Sequence, residues 1–506
     1  MASSANLHRV AKNTVILYFR MFFQMLVFLY TSRVVLNVLG ETDFGIYDVT
    51  AGIVTILVFL NNSMAVASQR FITFALGRGD GKELSHVYTT SLIIHFCLAL
   101  LVLFFGETLG VWYVENKLVV PPERAIETMM VFQCSLISAI VLIMFVPYMA
   151  IIIAYERMTA YAGITILDVL MKLGIVLSLK YCTQDRLVIY AVMLMFEAIF
   201  VRLLYFLYCR VSFPTIRLIL HGLKTNLFRK MITFAGWSMF GNFALVCNTH
   251  GLNLVLNGVS GAIVNSARGI AFQIQTAIMA FISSFQTAIN PQITKCYAQN
   301  DVPTMNSLIL RSSKFSFMLM LFVAIPLMLE TKTVLNLWLH KVPLHAVNFT
   351  RLLLCVSMVD CIANSMMIGA ASTGKIKKYH IVIGCTLVMA LPLACFFVYS
   401  LKRPVEYVFI AQLFVVILAQ IIRQYLCRSL YNFSNRVFFK DVLKPLFIVS
   451  CLSLIGPLIA HIYMSETLLR LLVITLLSIV SICISVFMFG LTHGERNFVL
   501  SKITCR

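Results

Sequence analysis

Arg268 lies in a stretch, AIVNSARGIAFQIQTAIMAFISSFQTAINPQITKCY (262–297), whose only other charge is Lys295. At about 100° per residue, Asn265, Arg268, Gln275, Gln286 and Asn290 fall within roughly 80° of one another, and the other faces are Ile, Ala, Phe and Met. An Arg in hydrocarbon costs about 2.5–3.5 kcal/mol, so Arg268 is expected to face water, a partner or an anion. The plainer reading is a structural Arg bonded to backbone carbonyls. The first apolar stretch repeats the pattern with Asn13, Arg20, Gln24 and Thr31, and the second with Asp48, Thr55, Asn62, Gln69 and Thr73. A later stretch has Ser238, Asn242, Thr249 and Asn253. Guanidinium is the natural bidentate partner of a phosphate, and amides donate and accept hydrogen bonds at once. The candidate binding set is therefore Arg20, Gln24, Asn62, Gln69, Asn242, Asn253, Arg268, Gln275 and Gln286.

A second group of charges sits among apolar residues. Asp168 and Lys172 are spaced i, i+4, which lets them pair on one helix face in a structural role. Glu197 and Arg202 are spaced i, i+5, roughly 140° apart, so each is expected to find its partner on another helix. His95 reads as a hydrogen-bonded packing residue rather than a proton relay. The 14 Cys form no C-x-x-C pair and no Cys/His cluster at ligand spacing, so neither a disulfide framework nor a metal is expected. No cofactor is expected either.

The elements that must carry these residues are membrane helices. The chain is 60% hydrophobic and 12% charged, with a mean hydropathy of +0.92. Apolar runs long enough to span a bilayer recur from end to end, about fourteen in all, which predicts an all-α polytopic membrane protein. The N-terminus lacks the cleavage pattern of a signal peptide, so the first run is expected to be retained. With the loops assigned alternately, the side of the N-terminus carries 25 Lys and Arg and the other side 11. That bias predicts both termini in the cytoplasm. The net charge of +20 then reflects topology and contact with anionic membrane lipids, not nucleic acid.

The pattern restarts after a basic amphipathic connector. VVLNVLG (34–40) is echoed by LVLNGVSG (254–261), and RFITFALGRGD (70–80) by PQITKCYAQND (291–301). The expected organisation is a six-helix bundle over 1–210, a cytoplasmic linker over 211–231, a second six-helix bundle over 232–440, and two additional helices with a tail over 441–506. In repeat-built transporters the substrate site lies where the repeats meet, because only there do polar side chains escape lipid.

SRVVLNVLGETDFGIYDV (32–49), VNSARGIAFQIQ (264–275), FQTAINPQITKCYA (285–298), RSSKFSFML (311–319) and ASTGKIKKYH (371–380) resemble signatures of bacterial polysaccharide and O-antigen repeat-unit flippases, the lipopolysaccharide-biosynthesis branch of the multidrug/oligosaccharidyl-lipid/polysaccharide exporter superfamily. The resemblance implies a non-enzymatic, multi-pass transporter of the bacterial inner membrane. Its cargo would be an undecaprenyl-diphosphate-linked oligosaccharide, turned from the cytoplasmic to the periplasmic leaflet. It also implies the polymerase and glycosyltransferases of the same pathway as partners. Arg20 and Arg268 suit the diphosphate of such a cargo, and the stripe amides suit its sugar hydroxyls. The alternative is an ion-coupled multidrug or small-metabolite antiporter on the same scaffold, expected to need an acidic cavity. A membrane glycan polymerase fits less well, since the connections on the periplasmic side are short.

Overall fold

The computed structural model describes residues 4–497 apart from 117, 119, 184, 217, 220–223, 340–341 and 493. Within 4–60 and 249–266 the side chains of only some residues are described. Among the described residues there are helices and no strand. The first is α1 (Ser4–Arg78), followed by α2 (Gly81–Phe105), α3 (Ala125–Ala154), α4 (Met158–Ser178), α5 (Arg186–Ser212) and α6 (Thr225–Val246). Then come α7 (Leu252–Ala298), α8 (Val302–Leu329), α9 (Ala346–Ser372), α10 (Lys377–Val388), α11 (Tyr407–Tyr431), α12 (Lys444–Tyr463) and α13 (Leu468–Ser485). Ten helical segments among the described residues are long and apolar enough to cross a membrane.

Lipid offers no hydrogen bonds, so each spanning segment satisfies its own backbone as a helix. The polar groups left over are spent at the ends. Asp80 caps α2 by accepting from the N–H groups of Lys82 and Glu83 at 2.9 and 3.0 Å, and Asp185 caps α5 in the same way. These amides hold the Asp80 carboxyl below the usual carboxylate range. α1 is broken at Gly40, whose φ of 79° is open to glycine and strained for other residues. The sequence predicts a loop over 257–261, between two spans; the structure continues α7 through it. No proline interrupts that segment, and a helix is the cheapest way to pair its backbone groups.

The chain forms two compact units, one of Met1–Met239 with Thr294–Asn300 and one of Phe240–Ile293 with Asp301–Arg506. In the first, Ile72, Val87, Ile151, Ile152 and Val201 make the buried centre of α1, α2, α3 and α5. The end of α7 lodges in this unit. A Cβ on Gly77 would lie 2.9 Å from Ala298 Cβ and 3.0 Å from Lys295 Cα, so only glycine admits the approach. Lys295 Nζ then donates to Glu156 Oε1 at 2.6 Å.

In the second unit, α12 and α13 pack on α8 through Leu321, Ile325, Val449 and Ile482. Carboxylates fasten this assembly at two levels of α8, one at its C-terminal end and one near its middle. At one, the fully buried Glu330 side chain accepts from Arg470 Nη2 at 3.0 Å and Thr333 Oγ1 at 2.6 Å, and lies 2.7 Å from His461 Nδ1. At the other, Glu495 pairs with the buried Lys314 at 2.6 Å and with Arg311 at 3.6 Å.

Candidate functional site

The richest polar constellation lies inside the first unit. One turn of α4 separates Asp168 from Lys172, whose Nζ donates to both carboxylate oxygens at 3.1 and 2.9 Å. α5 supplies the other two members. Lys172 Nζ lies 3.9 Å from Glu197 Oε2, and Arg202 Nη1 lies 3.8 Å from Asp168 Oδ1. The i, i+4 pair is thus half of a four-membered network, and Glu197 and Arg202 both find partners on another helix. Two acids and two bases balance, which is what makes a Glu197 side chain only 3% exposed tolerable among apolar neighbours.

Two cavities of about 270 and 310 Å³ flank the network and share Leu142 and Arg202 as walls. Asn61, Asn62, Tyr161, Thr165 and Tyr205 line the first beside Asp168. Lys172, Glu197, Tyr47, Ser135 and Ser138 line the second. Both have the mixed lining of small-molecule sites, at the small end of their size range. Arg20 approaches the first cavity from α1: its guanidinium stacks 4.8 Å above the Tyr161 ring. It meets no carboxylate among the described residues, and its Nε is buried without an acceptor. Asn62 is exposed in the cavity wall, whereas Gln24 and Gln69 are half-buried on α1. Tyr161 had no signal in the sequence, because a tyrosine in an apolar run looks like any interfacial aromatic.

In the second unit Arg268 is buried, 5.4 Å from the Phe272 ring. Gln275 donates to Ser357 Oγ at 3.0 Å. Gln286 donates to Ser316 Oγ at 3.0 Å and to the Cys361 carbonyl at 2.8 Å, and accepts from Asn364 Nδ2 at 2.6 Å. Its amide is therefore engaged with α8 and α9. Asn242 is half-buried; the side chains of Asn253, Asn265 and Asp48 lie outside the described residues. α11 adds a cation that the sequence analysis did not single out. The buried Arg423 donates through Nε to Tyr379 Oη at 2.8 Å and through Nη1 to Gln420 Oε1 at 2.5 Å. His95 is fully buried with Nδ1 2.8 Å from the Ser91 carbonyl, as a packing residue should be. No cluster able to hold a metal ion occurs among the described residues.

The MatE family model matches residues 17–117. A crystal structure of a MATE mutant superposes with a TM-score of 0.73 at 15% identity, covering 83% of this chain and 96% of the other. The chain has the MATE fold. An outward-facing multidrug resistance MATE family transporter of the MOP superfamily gives a TM-score of 0.69 at 16% identity, covering 83% of this chain and 95% of its own. A MOP superfamily transporter from Pyrococcus furiosus, described as having a binding pocket of reverse polarity that suggests a different function, gives the same values. No curated protein matches. The MATE fold agrees with the superfamily expected from the sequence motifs, while none of these matches carries the polysaccharide branch of that expectation.

Proposed function

We propose that the chain is an ion-coupled membrane transporter whose coupling site is the Asp168–Lys172–Glu197–Arg202 network. The observation that carries this reading is the placement of two carboxylates and two cations between two cavities of one bundle. Lys172 Nζ reaches both acids, at 2.9 Å from Asp168 Oδ2 and 3.9 Å from Glu197 Oε2. A proton or small cation arriving there competes with Lys172 and Arg202 for the same oxygens, so its entry changes which pairs form. The carboxylates that an antiporter requires thus lie on α4 and α5 rather than on the first span, each balanced by a cation until a competing ion arrives. The match to MatE and the neighbouring multidrug MATE transporter favour a small organic cargo exchanged for a cation.

Arg20 favours a second reading, in which the cargo is a lipid-linked oligosaccharide moved between leaflets. A half-buried guanidinium with no carboxylate partner among the described residues, beside a cavity lined by Asn61 and Asn62, suits a phosphate-bearing glycan better than a cationic drug. The Pyrococcus furiosus neighbour supports the idea that one fold accommodates pockets of opposite polarity.

One strain pair separates the two. Under the antiporter reading, cells lacking the protein accumulate a cationic dye and keep their surface glycan, and Asp168→Asn abolishes dye efflux driven by an imposed proton or sodium gradient. Loss of surface glycan with unchanged dye handling would transfer the assignment to the flippase.

Both termini are proposed to be cytoplasmic, from the bias of basic loops. Reporter fusions after Lys117 and Arg506 should read periplasm and cytoplasm respectively, and the reverse would invert the direction of transport assigned here.

A further inference from the structure

We propose that the first unit carries, on its basic side, a site for one anionic phospholipid. Two cavities of about 460 and 250 Å³ open between α2, α3 and the end of α5, and Tyr148 and Leu218 line both, which makes them one groove. Its lower part is walled by Tyr88, Ile151, Phe206, Cys209 and Arg210, and its upper part by Leu92, Ile93, Phe96, Met144 and Phe145. The start of the connector, residues 213–216 and 218–219, borders it. Phe213 anchors one end of this border with its ring 4.3 Å from that of Tyr155, and the Ile219 N–H anchors the other by donating to Thr89 Oγ1 at 3.0 Å.

The depth of the groove points to its occupant. Arg210 lies two residues before the end of α5, at the membrane boundary. Along α2 the lining runs from Tyr88 to Phe96, eight residues or about 12 Å of helix axis. Half of a hydrocarbon core is about 15 Å, so the groove covers most of one leaflet. The upper walls are apolar apart from Tyr148, where the two parts join, and Thr89, whose hydroxyl is committed to the Ser85 carbonyl at 2.9 Å and to the Ile219 N–H. Only an acyl chain suits that part.

The mouth has the opposite character. Arg210 is exposed and, among the described residues, has no carboxylate partner and only Phe206, at 6.0 Å, as a ring neighbour. Among the described residues no acid lines either cavity. The exposed Lys224, Arg229 and Lys230 follow on the same connector and the start of α6. A cation at the interface above a dry channel that covers most of one leaflet matches a negatively charged headgroup with one chain drawn inward. Phe145 also lines the cavity beside Asp168, so the bound chain ends one ring away from the coupling network. The inference rests on the membrane-spanning fold and is independent of the cargo.

The test uses the full chain in nanodiscs of equal phosphatidylglycerol and phosphatidylethanolamine, with retained lipid counted by native mass spectrometry after transfer to detergent. One phosphatidylglycerol should be retained in preference to phosphatidylethanolamine. Arg210→Gln should lower that preference about fivefold, the worth of one juxtamembrane cation, while Arg210→Lys keeps it. Ile93→Trp, which fills the upper groove, should release the lipid whatever its headgroup. Equal retention of both lipids by the unaltered protein, an unchanged preference in Arg210→Gln, or retention by Ile93→Trp would overturn the proposal. So would displacement by an equimolar polyprenyl diphosphate, which would make the groove part of a cargo path.

Discussion

Replacing Glu330 by glutamine will destabilise the second unit by about 3–5 kcal/mol, the cost of breaking a buried ion pair from one side. Arg470, itself buried, loses its carboxylate partner, and His461 and Thr333 lose the acceptor that orients them. The melting temperature of the purified protein should fall by at least about 6 °C. Glu330→Leu combined with Arg470→Leu removes both charges and should recover most of that loss, because an apolar pair needs no compensation in hydrocarbon. If the double variant melts as low as the single one, the carboxylate is not acting through Arg470.

The same clamp sets a pH dependence. Burial alone would raise the Glu330 carboxyl, but hydrogen bonds from Thr333, Arg470 and His461 outweigh it and hold the group below its ordinary value of 4.5. A depressed carboxylate contributes stability that is complete above its unfolded pKa and lost as pH falls through its folded one. The unaltered protein should therefore lose melting temperature below about pH 4.5, and Glu330→Gln should lose less over the same interval.

How much of this was legible in the sequence varies with the range of the interaction. Asp168 and Lys172 declare themselves through i, i+4 spacing, and Asn62 shares a helical stripe with other polar residues, because both patterns are local. Glu197 and Arg202 were legible as charges in need of partners, but not as members of one network, since packing of α5 on α4 decides which atoms meet. Tyr161 and Arg423 have no periodic signature; only the fold shows that the first sits under Arg20 and the second in the core of the second unit. Glu330 gave no signal because the helices that bury it, α12 and α13, come more than a hundred residues later. The fold class followed from hydropathy alone. The cargo did not, because neighbours at 15–16% identity share a backbone path and not the side chains that line it.

Exchanging Asp168 and Lys172 tests the network against the simple pair. If the two residues only neutralised each other, Asp168→Lys with Lys172→Asp would restore the protein lost in either single neutralisation. Within the network it will not. A lysine at 168 faces Arg202 at the 3.8 Å now spanned by an attraction, and an aspartate at 172 faces Glu197 at 3.9 Å. Each like-charge contact costs on the order of 4 kcal/mol at an effective dielectric near 20, less at residue 172, whose side chain is 44% exposed. The exchange variant should therefore accumulate in the membrane no better than Asp168→Asn. Adding Glu197→Lys and Arg202→Glu inverts all four charges and turns every contact attractive again, so protein should return. Transport should remain lost in that inverted variant, because its carboxylates then sit at 172 and 202 and no longer at 168 and 197. Transport by the inverted network at the normal rate would mean that the charges only hold α4 to α5 and that coupling resides elsewhere.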